Sequence, residues 1–344
     1  MEKPQTYEQM KEQTGLTIVY MPREDGSATL QAITGANAPV IEATFKKEAI
    51  DEGHILYMEA TELLRSRAKL NEDPAAIRTL VEKLFASFRG EKVSFDDETA
   101  ATVRKPSGEF IPNPGKQIVI DVDGQKYERW PVRTRIITMK DTDILPIIEE
   151  YVTPYLKPDD VLYVSEKALT ITQGRIVSMS DIHPTPFARF LARNVGNYYG
   201  TSDFHGFGHG TTLAMQLFLE EAGYARIIFA AAVSAITRPL GIHGLFYRIC
   251  GKRAKSIDCP MSFLILEYAH SAKLAPNHPS EAAKRIKEKI GHEVVILDAN
   301  YRGAFSLGKS TGSITEEFIG KLFSDNPLGQ SDEMTPFAIV RKAA

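Results

Sequence analysis

Apolar residues recur at steps of three and four positions in the segment that follows Asp73. This spacing places them on one face of a helix. Asp73 can cap such a helix, Pro74 suits its first turn, and Gly90 can end it. A second helix is predicted over residues 55–68. The apolar positions of the first helix are Ile77, Leu80, Val81, Leu84 and Phe88.

Farther along the chain, segments with strand-like and helix-like patterns follow each other. Residues 117–122 and 127–137 flank Asp123-Gly124, a turn signal that favours a β-hairpin. Further predicted strands cover residues 161–164, 226–234 and 294–297, and further predicted helices cover residues 186–193, 212–222 and 280–290. This order predicts an α+β (mixed α/β) fold with mixed sheets.

A segment rich in proline and glycine, residues 104–115, has the composition of a linker or a long loop. We therefore predict two parts, an N-terminal region of residues 1–112 with no assigned role and a larger domain of residues 113–344. No internal repeat is apparent in the sequence.

Composition narrows the classes of function. The chain has 344 residues, of which 43% are hydrophobic and 25% charged, as in globular proteins. Its net charge of −3 gives no general attraction to nucleic acid or to anionic membranes. The two cysteines exclude a disulfide scaffold, no signal-peptide pattern follows the first residues, and the longest apolar run is too short to span a bilayer. We expect a cytoplasmic protein with a small-molecule substrate and neither a nucleic-acid nor a membrane partner.

The predicted strand 294–297 is followed directly by a carboxylate, Asp298. Carboxylates at the carboxyl end of a strand, in a crevice, commonly hold a hard metal ion that bridges phosphate oxygens. Asp298 is therefore the first candidate metal ligand. A turn-capping role for Asp298 is equally compatible with the pattern.

A glycine-rich segment, residues 202–211, leads into the predicted helix 212–222. Free N–H groups at the start of a helix favour an anion, so Gly208 and Gly210 are candidate phosphate-binding positions. His205 and His209 suggest zinc, but neither an HExxH pattern nor a cysteine pair accompanies them. A loop role is the favoured interpretation of these histidines.

Polar residues also follow the predicted strand 161–164. Ser165, Glu166, Lys167 and Arg175 are candidate nucleotide-binding or phosphate-binding residues, because cations neutralise phosphate and hydroxyls orient it. The segment carries no Walker A pattern. Taken alone, however, residues 165–175 are better interpreted as a plain polar hairpin.

A basic run over residues 248–255 ends shortly before Asp258. Runs of this kind usually form a solvated face. This run interrupts an apolar region, however, so Arg248 and Asp258 are also candidate contacts to a charged substrate.

Four dispersed segments together resemble the coenzyme F420-0:L-glutamate ligase family. They are residues 165–175, the loop 276–280 with its following helix, the strand 294–298 and the segment 329–333. The similarity extends over roughly residues 131–341, in the order that the family shows.

The resemblance implies a homodimeric α+β ligase that uses GTP, or ATP in its place, together with Mg²⁺ or Mn²⁺. Such an enzyme activates a carboxylate as an acyl phosphate, which the amino group of L-glutamate or a similar amine attacks. By motif match, Asp298 and Gln330 occupy metal-ligand positions. Residues 165–167 match the nucleotide-binding region.

The chain departs from the family pattern at three positions. His243 stands where the family has a metal-binding aspartate, Phe246 replaces an asparagine that contacts nucleotide, and Ala299 replaces a threonine. His243 is therefore grouped with the candidate substrate contacts. Loss of an anionic oxygen ligand weakens a site for a hard cation. A protein that binds a nucleotide or metabolite without catalysis is thus the alternative function, and a metal hydrolase using the two histidines of residues 202–211 ranks third.

Overall fold

The structure is a computed structural model. It describes residues 16–22, 24, 28–34, 41–45, 60, 73–89, 91, 93, 110–194, 211–237, 239, 241, 245–259, 261, 268, 271–300, 303–329 and 333–343. The strands are β1 (Leu16–Pro22), β2 (Ala28–Thr34), β3 (Ile41–Phe45), β4 (Val119–Val122), β5 (Gln125–Val132), β6 (Val161–Ser165), β7 (Ile176–Ser178), β8 (Ser271–Lys273), β9 (Glu293–Asn300), β10 (Gly303–Lys309) and β11 (Phe337–Lys342).

Helices cover much of the remaining described chain, and two short 3₁₀ helices cover Thr153–Tyr155 and Met179–Asp181. The α-helices are α1 (Pro74–Phe88), α2 (Leu145–Tyr151), α3 (Glu166–Thr172), α4 (Pro186–Asn194), α5 (Thr212–Ala222), α6 (Tyr224–Thr237), α7 (Leu245–Cys250), α8 (Lys252–Lys255), α9 (Pro279–Ile290) and α10 (Glu316–Leu322). In the part of the chain that the structure describes, no helix has the length and apolar character needed to cross a membrane.

The chain divides into two compact units, each built from several segments. The first comprises Met1–Thr99, Val177–Tyr224 and Ile257–Ala272, and the second comprises Ala100–Ile176, Ala225–Ser256 and Lys273–Ala344. This division does not decide the boundary predicted between residues 112 and 113, which stays a prediction.

The first unit contains a three-stranded antiparallel sheet in the order β1-β2-β3 and helices that include α1. The backbone N–H of Ala75 donates to the carboxylate of Asp73 at 3.2 Å, which is the predicted cap. Ile77, Leu80 and Val81 of the predicted apolar face are buried. Helix α1 is thereby confirmed, whereas the helix predicted over residues 55–68 lies outside the described residues except for Ala60.

The second unit contains a six-stranded sheet in the order β10-β9-β6-β11-β5-β4. Strands β6 and β9 run parallel, and the other neighbouring pairs are antiparallel. Helices α9 and α10 pack on strands of this sheet. The predicted mixed α+β fold is confirmed.

Strands β4 and β5 form the predicted hairpin, with Asp123 and Gly124 as its two loop residues. Both have positive φ angles, 54° and 85°, as a type I′ turn requires. The Gly124 N–H donates to the carboxylate of Asp121 at 2.9 Å, which stabilises the turn. The second strand ends at Val132, earlier than predicted.

The predicted strand over residues 226–234 is wrong, because this segment belongs to helix α6. Continuous apolar runs do not by themselves distinguish a buried strand from a helix. Here the alanine-rich composition favours the helix. The buried residues Ile227 and Ala230 lie one helical turn apart, whereas Ile228, Phe229 and Ile236 are exposed.

The polar hairpin considered for residues 165–175 is also wrong. Strand β6 ends at Ser165 and the chain enters helix α3 at the next residue. Residues Ala168 to Thr172 are buried, so the segment is part of the core rather than a solvated loop. Strand β9 extends to Asn300, so Asp298 lies inside the last part of the strand and not beyond its end.

Strand β10 contacts helix α9 closely at Gly308. A β-carbon added at this glycine would lie 2.3 Å from the carbonyl carbon of Pro279 and 2.3 Å from the nitrogen of Ser280. Both of these are backbone atoms, so neither can swing away. The absence of a side chain at Gly308 therefore lets the start of α9 rest against the strand.

We expect Gly308→Ala to lower the free energy of unfolding by about 2 kcal/mol, because the added methyl forces strand and helix apart. The matched control is Gly312→Ala, where no atom lies within 4 Å of the added carbon. Urea unfolding of both variants gives the comparison. Equal stability of the two variants would contradict this account of the contact.

Candidate functional site

Two strand ends that carry candidate residues meet at one edge of the six-stranded sheet. Strands β6 and β9 are parallel with Ser165 paired to Leu297, so Ser165 and Asp298 emerge at the same edge. Strand β11 is antiparallel to β6, and the Ser165 N–H donates to the Pro336 carbonyl at 2.8 Å. Pro336, just before β11, therefore reaches this edge too.

Asn326 ties the loop before β11 to the end of β9. Its backbone is left-handed, with φ of 47°, and its side chain is buried. The Nδ2 group donates to the Ala299 carbonyl at 3.2 Å and to the Gly329 carbonyl at 2.8 Å. The Oδ1 atom is buried and accepts no hydrogen bond from the described residues. An amide oxygen is thus left with unused acceptor capacity beside the strand that carries Asp298.

The same loop is anchored at its start by the guanidinium of Arg129, which is 1% exposed. This side chain donates to the Leu322 carbonyl at 2.8 Å, to the Gln117 carbonyl at 2.6 Å and to both carboxylate oxygens of Asp325. Bidentate pairing of this kind fixes orientation as well as distance. Burial alone raises the pKa of Asp325, but the hydrogen bonds and positive charge of Arg129, a backbone hydrogen bond and the charge of Lys116 together outweigh it and hold that pKa below its ordinary value.

A second anchor, Asn113, holds the middle of the loop. Its Nδ2 group donates to the Pro327 carbonyl at 2.8 Å and to the Thr335 hydroxyl at 2.8 Å. The Thr335 hydroxyl donates in turn to the Leu328 carbonyl at 2.6 Å. Because Asn113 and Thr335 are both buried, these bonds are shielded from water and fix the loop backbone.

Glu166, a predicted nucleotide-binding residue, lies in the core. Its carboxylate accepts from the ammonium of Lys273, which also donates to the Ser256 carbonyl. The exposed fractions of the two side chains are 5% and 0%. Buried charges are costly unless paired, so this ion pair holds helix α3 in register with the chain at β8. Lys167, the next residue, is partly exposed.

Arg175 and Gln173 connect helix α3 to the loop that precedes α9. The Nε group of Arg175 donates to the Ala275 carbonyl at 2.5 Å. Gln173 donates to the Asn277 carbonyl at 3.0 Å and accepts from the Asn277 N–H at 2.7 Å. The first two segments of the family resemblance, 165–175 and 276–280, are therefore in direct contact.

The donor atoms at this edge are oxygens. Glu333 lies over Gly329, since a β-carbon added at Gly329 would be 2.3 Å from the carboxylate carbon of Glu333. The carboxylates of Asp298 and Glu333, with the unused amide oxygen of Asn326, are ligands that Mg²⁺ and Mn²⁺ prefer. These oxygen ligands are of the type that a hard cation prefers. Within the described ranges, however, no three or more His, Cys, Asp and Glu side chains lie close enough together to form a metal site.

Some candidate residues are described elsewhere in the chain, and others are not described. Arg248 is exposed on helix α7, Phe246, the replacement for the family's asparagine, is buried, and Asp258 belongs to the first unit. The remaining candidates lie outside the described residues, and their roles stay predictions. They are Gly208, Gly210, His243, Gln330, His205 and His209.

One pattern was missed in the sequence. Residues 303–310 read G-A-F-S-L-G-K-S, which matches the letters of the Walker A motif. The structure assigns Gly303–Lys309 to strand β10, so the strand, loop and helix of a true P-loop do not occur there. The anchors Arg129, Asn113 and Asn326 were missed as well, because no local pattern marks a side chain that binds a distant backbone.

Comparison with models of known protein families gave no match, and comparison with curated proteins gave none either.

We expect Asp325→Asn to lower the free energy of unfolding by about 2 kcal/mol, because it leaves the buried Arg129 guanidinium without its counter-charge. Asp123→Asn is the control, since it removes an exposed carboxylate that pairs with Lys321 on the surface. Urea unfolding at pH 7 measures both. If Asp325→Asn loses no more stability than Asp123→Asn, the ion pair between Arg129 and Asp325 does not stabilise the fold as described.

The same pair makes stability depend on acid pH. Because the folded pKa of Asp325 lies below the ordinary value of 3.8, the pair contributes stability above that value and loses it as pH falls through the folded pKa. We expect the wild type to lose more stability than Asp325→Asn between about pH 5 and pH 3. Unfolding curves at a series of pH values test this, and parallel losses would contradict it.

Proposed function

We propose that this chain is a metal- and nucleotide-dependent ligase that joins a carboxylate to the amino group of L-glutamate or a similar amine. The observation that supports the proposal is the meeting of three parts of the chain at one sheet edge. They are Ser165 at the end of β6, Asp298 near the end of β9, and the loop before β11, which Asn326 ties to Ala299. These positions belong to, or lie beside, the segments 165–175, 294–298 and 329–333, which resemble the coenzyme F420-0:L-glutamate ligase family and are far apart in the sequence. We also propose that the enzyme is a cytoplasmic homodimer with Mg²⁺ or Mn²⁺ and GTP or ATP.

In the proposed reaction, the γ-phosphoryl group passes to a carboxylate oxygen of the acceptor, the bond to the β-phosphate oxygen breaks, and the nucleoside diphosphate leaves. The amine nitrogen then attacks the acyl carbon, inorganic phosphate leaves with its bonding electrons, and the nitrogen loses a proton. A bound divalent cation would offset the charge of the phosphate oxygens.

The chain's own residues would take three roles. The carboxylates of Asp298 and Glu333 would hold the cation, and the amide oxygen of Asn326 would be a further oxygen ligand. Lys167, at the start of α3, would supply a positive charge to phosphate oxygens. The ion pair of Glu166 with Lys273 fixes the helix that carries Lys167, so Glu166 acts through position rather than by contact.

A binding protein without catalysis is the second candidate, and one observation favours it. Phe246, where the family has an asparagine that contacts nucleotide, is 5% exposed, and an apolar ring replaces that polar contact. Such a protein would bind nucleotide saturably and would show no turnover with any acceptor.

Calorimetric titration of GTP and of ATP, each with Mg²⁺ or Mn²⁺, tests the proposed site. We expect metal-dependent binding by the wild type and at least tenfold weaker binding by Asp298→Asn, since the cation loses a charged ligand. Asp159→Asn is the matched control, because Asp159 is exposed beyond the opposite end of β6. Absence of binding in every combination would sink the nucleotide-dependent proposal.

Turnover separates the ligase from the binding protein. The assay measures release of nucleoside diphosphate with L-glutamate and a phosphodiester-linked lactyl acceptor. We expect continued release over many turnovers only when both acceptor and amine are present, since the acceptor alone can give at most one equivalent of acyl phosphate per site. Binding without release in a screen of carboxylate acceptors would favour the second candidate.

A further inference from the structure

A second polar groove opens on the same unit, away from the sheet edge described above. Its volume is about 580 Å³, and its walls are the end of β10, the turn at residues 310–312 and the start of α9. Its β10 residues run from Ser306, which pairs with Leu297 of β9, to Lys309, which pairs with Val295. Asp298 pairs with Phe305, and neither residue lines the groove.

The backbone at the start of α9 contributes hydrogen-bond donors. His278, the N-cap residue, makes no side-chain cap, and the first N–H with an intrahelical acceptor is that of Ala282, which donates to the His278 carbonyl at 2.9 Å. Pro279 has no N–H, so the unused donors are those of Ser280 and Glu281. The contact at Gly308 brings Ser280 into the wall of the groove.

The groove is positively charged. Three lysines, Lys252, Lys284 and Lys309, line it against one carboxylate, Glu316, which gives a net charge of +2. Burial alone raises the pKa of Glu316, but hydrogen bonds from Ser306 and Lys252 outweigh it and hold that pKa below its ordinary value. Glu316 is thus already satisfied within the wall and is not free to neutralise all three ammonium groups.

The lysines differ in how far they are already engaged. Lys252 donates to the Ser306 carbonyl at 2.9 Å and to Glu316 at 2.9 Å, and Lys309 donates to the Ile314 carbonyl at 2.5 Å. These bonds hold the two ammonium groups in place. Lys284 is exposed and has no hydrogen bond or ion pair with any residue in the described ranges. The groove is therefore lined by one ammonium group without a partner in the described ranges and by two that are already hydrogen-bonded.

We propose that this groove binds the phosphate group of a small phosphorylated molecule. Phosphate is tetrahedral and accepts hydrogen bonds from several directions, which ammonium groups on separate elements and the first N–H groups of a helix can supply together. The wall includes the Gly-Lys-Ser-Thr letters at residues 308–311, but here strand β10 and helix α9 meet through a tight contact and not through a P-loop. The proposal does not depend on the ligase activity.

Calorimetric titration of the intact chain with inorganic phosphate, pyrophosphate and phenyl phosphate tests the groove. We expect saturable binding at one site by the wild type and by Lys284→Arg, and at least about tenfold weaker binding by Lys284→Glu. Lys289→Glu is the matched control, since it makes the same change at the other end of α9, where Lys289 pairs with Glu149. Lys284 is exposed, so its substitution leaves the fold intact.

The comparison of ligands shows which molecule carries the phosphate. Tighter binding of phenyl phosphate than of inorganic phosphate identifies a phosphorylated molecule as the ligand, and equal binding identifies free phosphate.

Three results would overturn the proposal: no binding by the wild type, unchanged binding by Lys284→Glu, or an equal loss of binding in Lys289→Glu. So would loss of binding in Asp298→Asn, because it would assign the phosphate to the sheet edge instead. If Asp298→Asn no longer binds nucleotide but still binds pyrophosphate, the sheet edge and the groove are two separate sites.

Discussion

The second unit depends on one buried cation, the guanidinium of Arg129. Its donors reach the Leu322 carbonyl at the end of α10, the Gln117 carbonyl before β4, and the carboxylate of Asp325. A guanidinium removed from water needs partners for its charge and for its N–H groups, and here the two terminal nitrogens find them on two distant stretches of the chain. The loop that carries Asn326 and Gly329 is consequently fixed close to its start. The amide oxygen of Asn326 acquires its position from that anchor.

Elements with local signals were predictable from the sequence. Helix α1 has a capping aspartate and a proline at its start, and the β4-β5 hairpin has a two-residue loop whose positive φ angles suit Asp and Gly. Helix α9 was likewise predicted over residues 280–290. In each case the deciding interactions lie within a few residues of each other, so the chain's local composition contains them.

The elements and contacts that escaped prediction depend on distant residues. Helix α6 has an apolar run whose periodicity fits a strand as well as a helix, although its alanine-rich composition favours the helix. Arg129 and Asp325 are 196 residues apart, and Lys273 and Glu166 are 107 apart. No spacing rule connects such positions. A local pattern can also mislead. Residues 303–310 match the Walker A motif, but Gly303–Lys309 form a strand rather than a loop.

The position of β11 has a consequence for how the sheet forms during synthesis. This strand covers residues 337–342 and lies in the interior of the sheet, between β6 and β5. Until it has left the ribosome, β5 and β6 present unpaired backbone edges toward each other, and such edges attract other chains. Closure of the sheet therefore waits until residues 337–342 have been synthesised, long after β5 and β6.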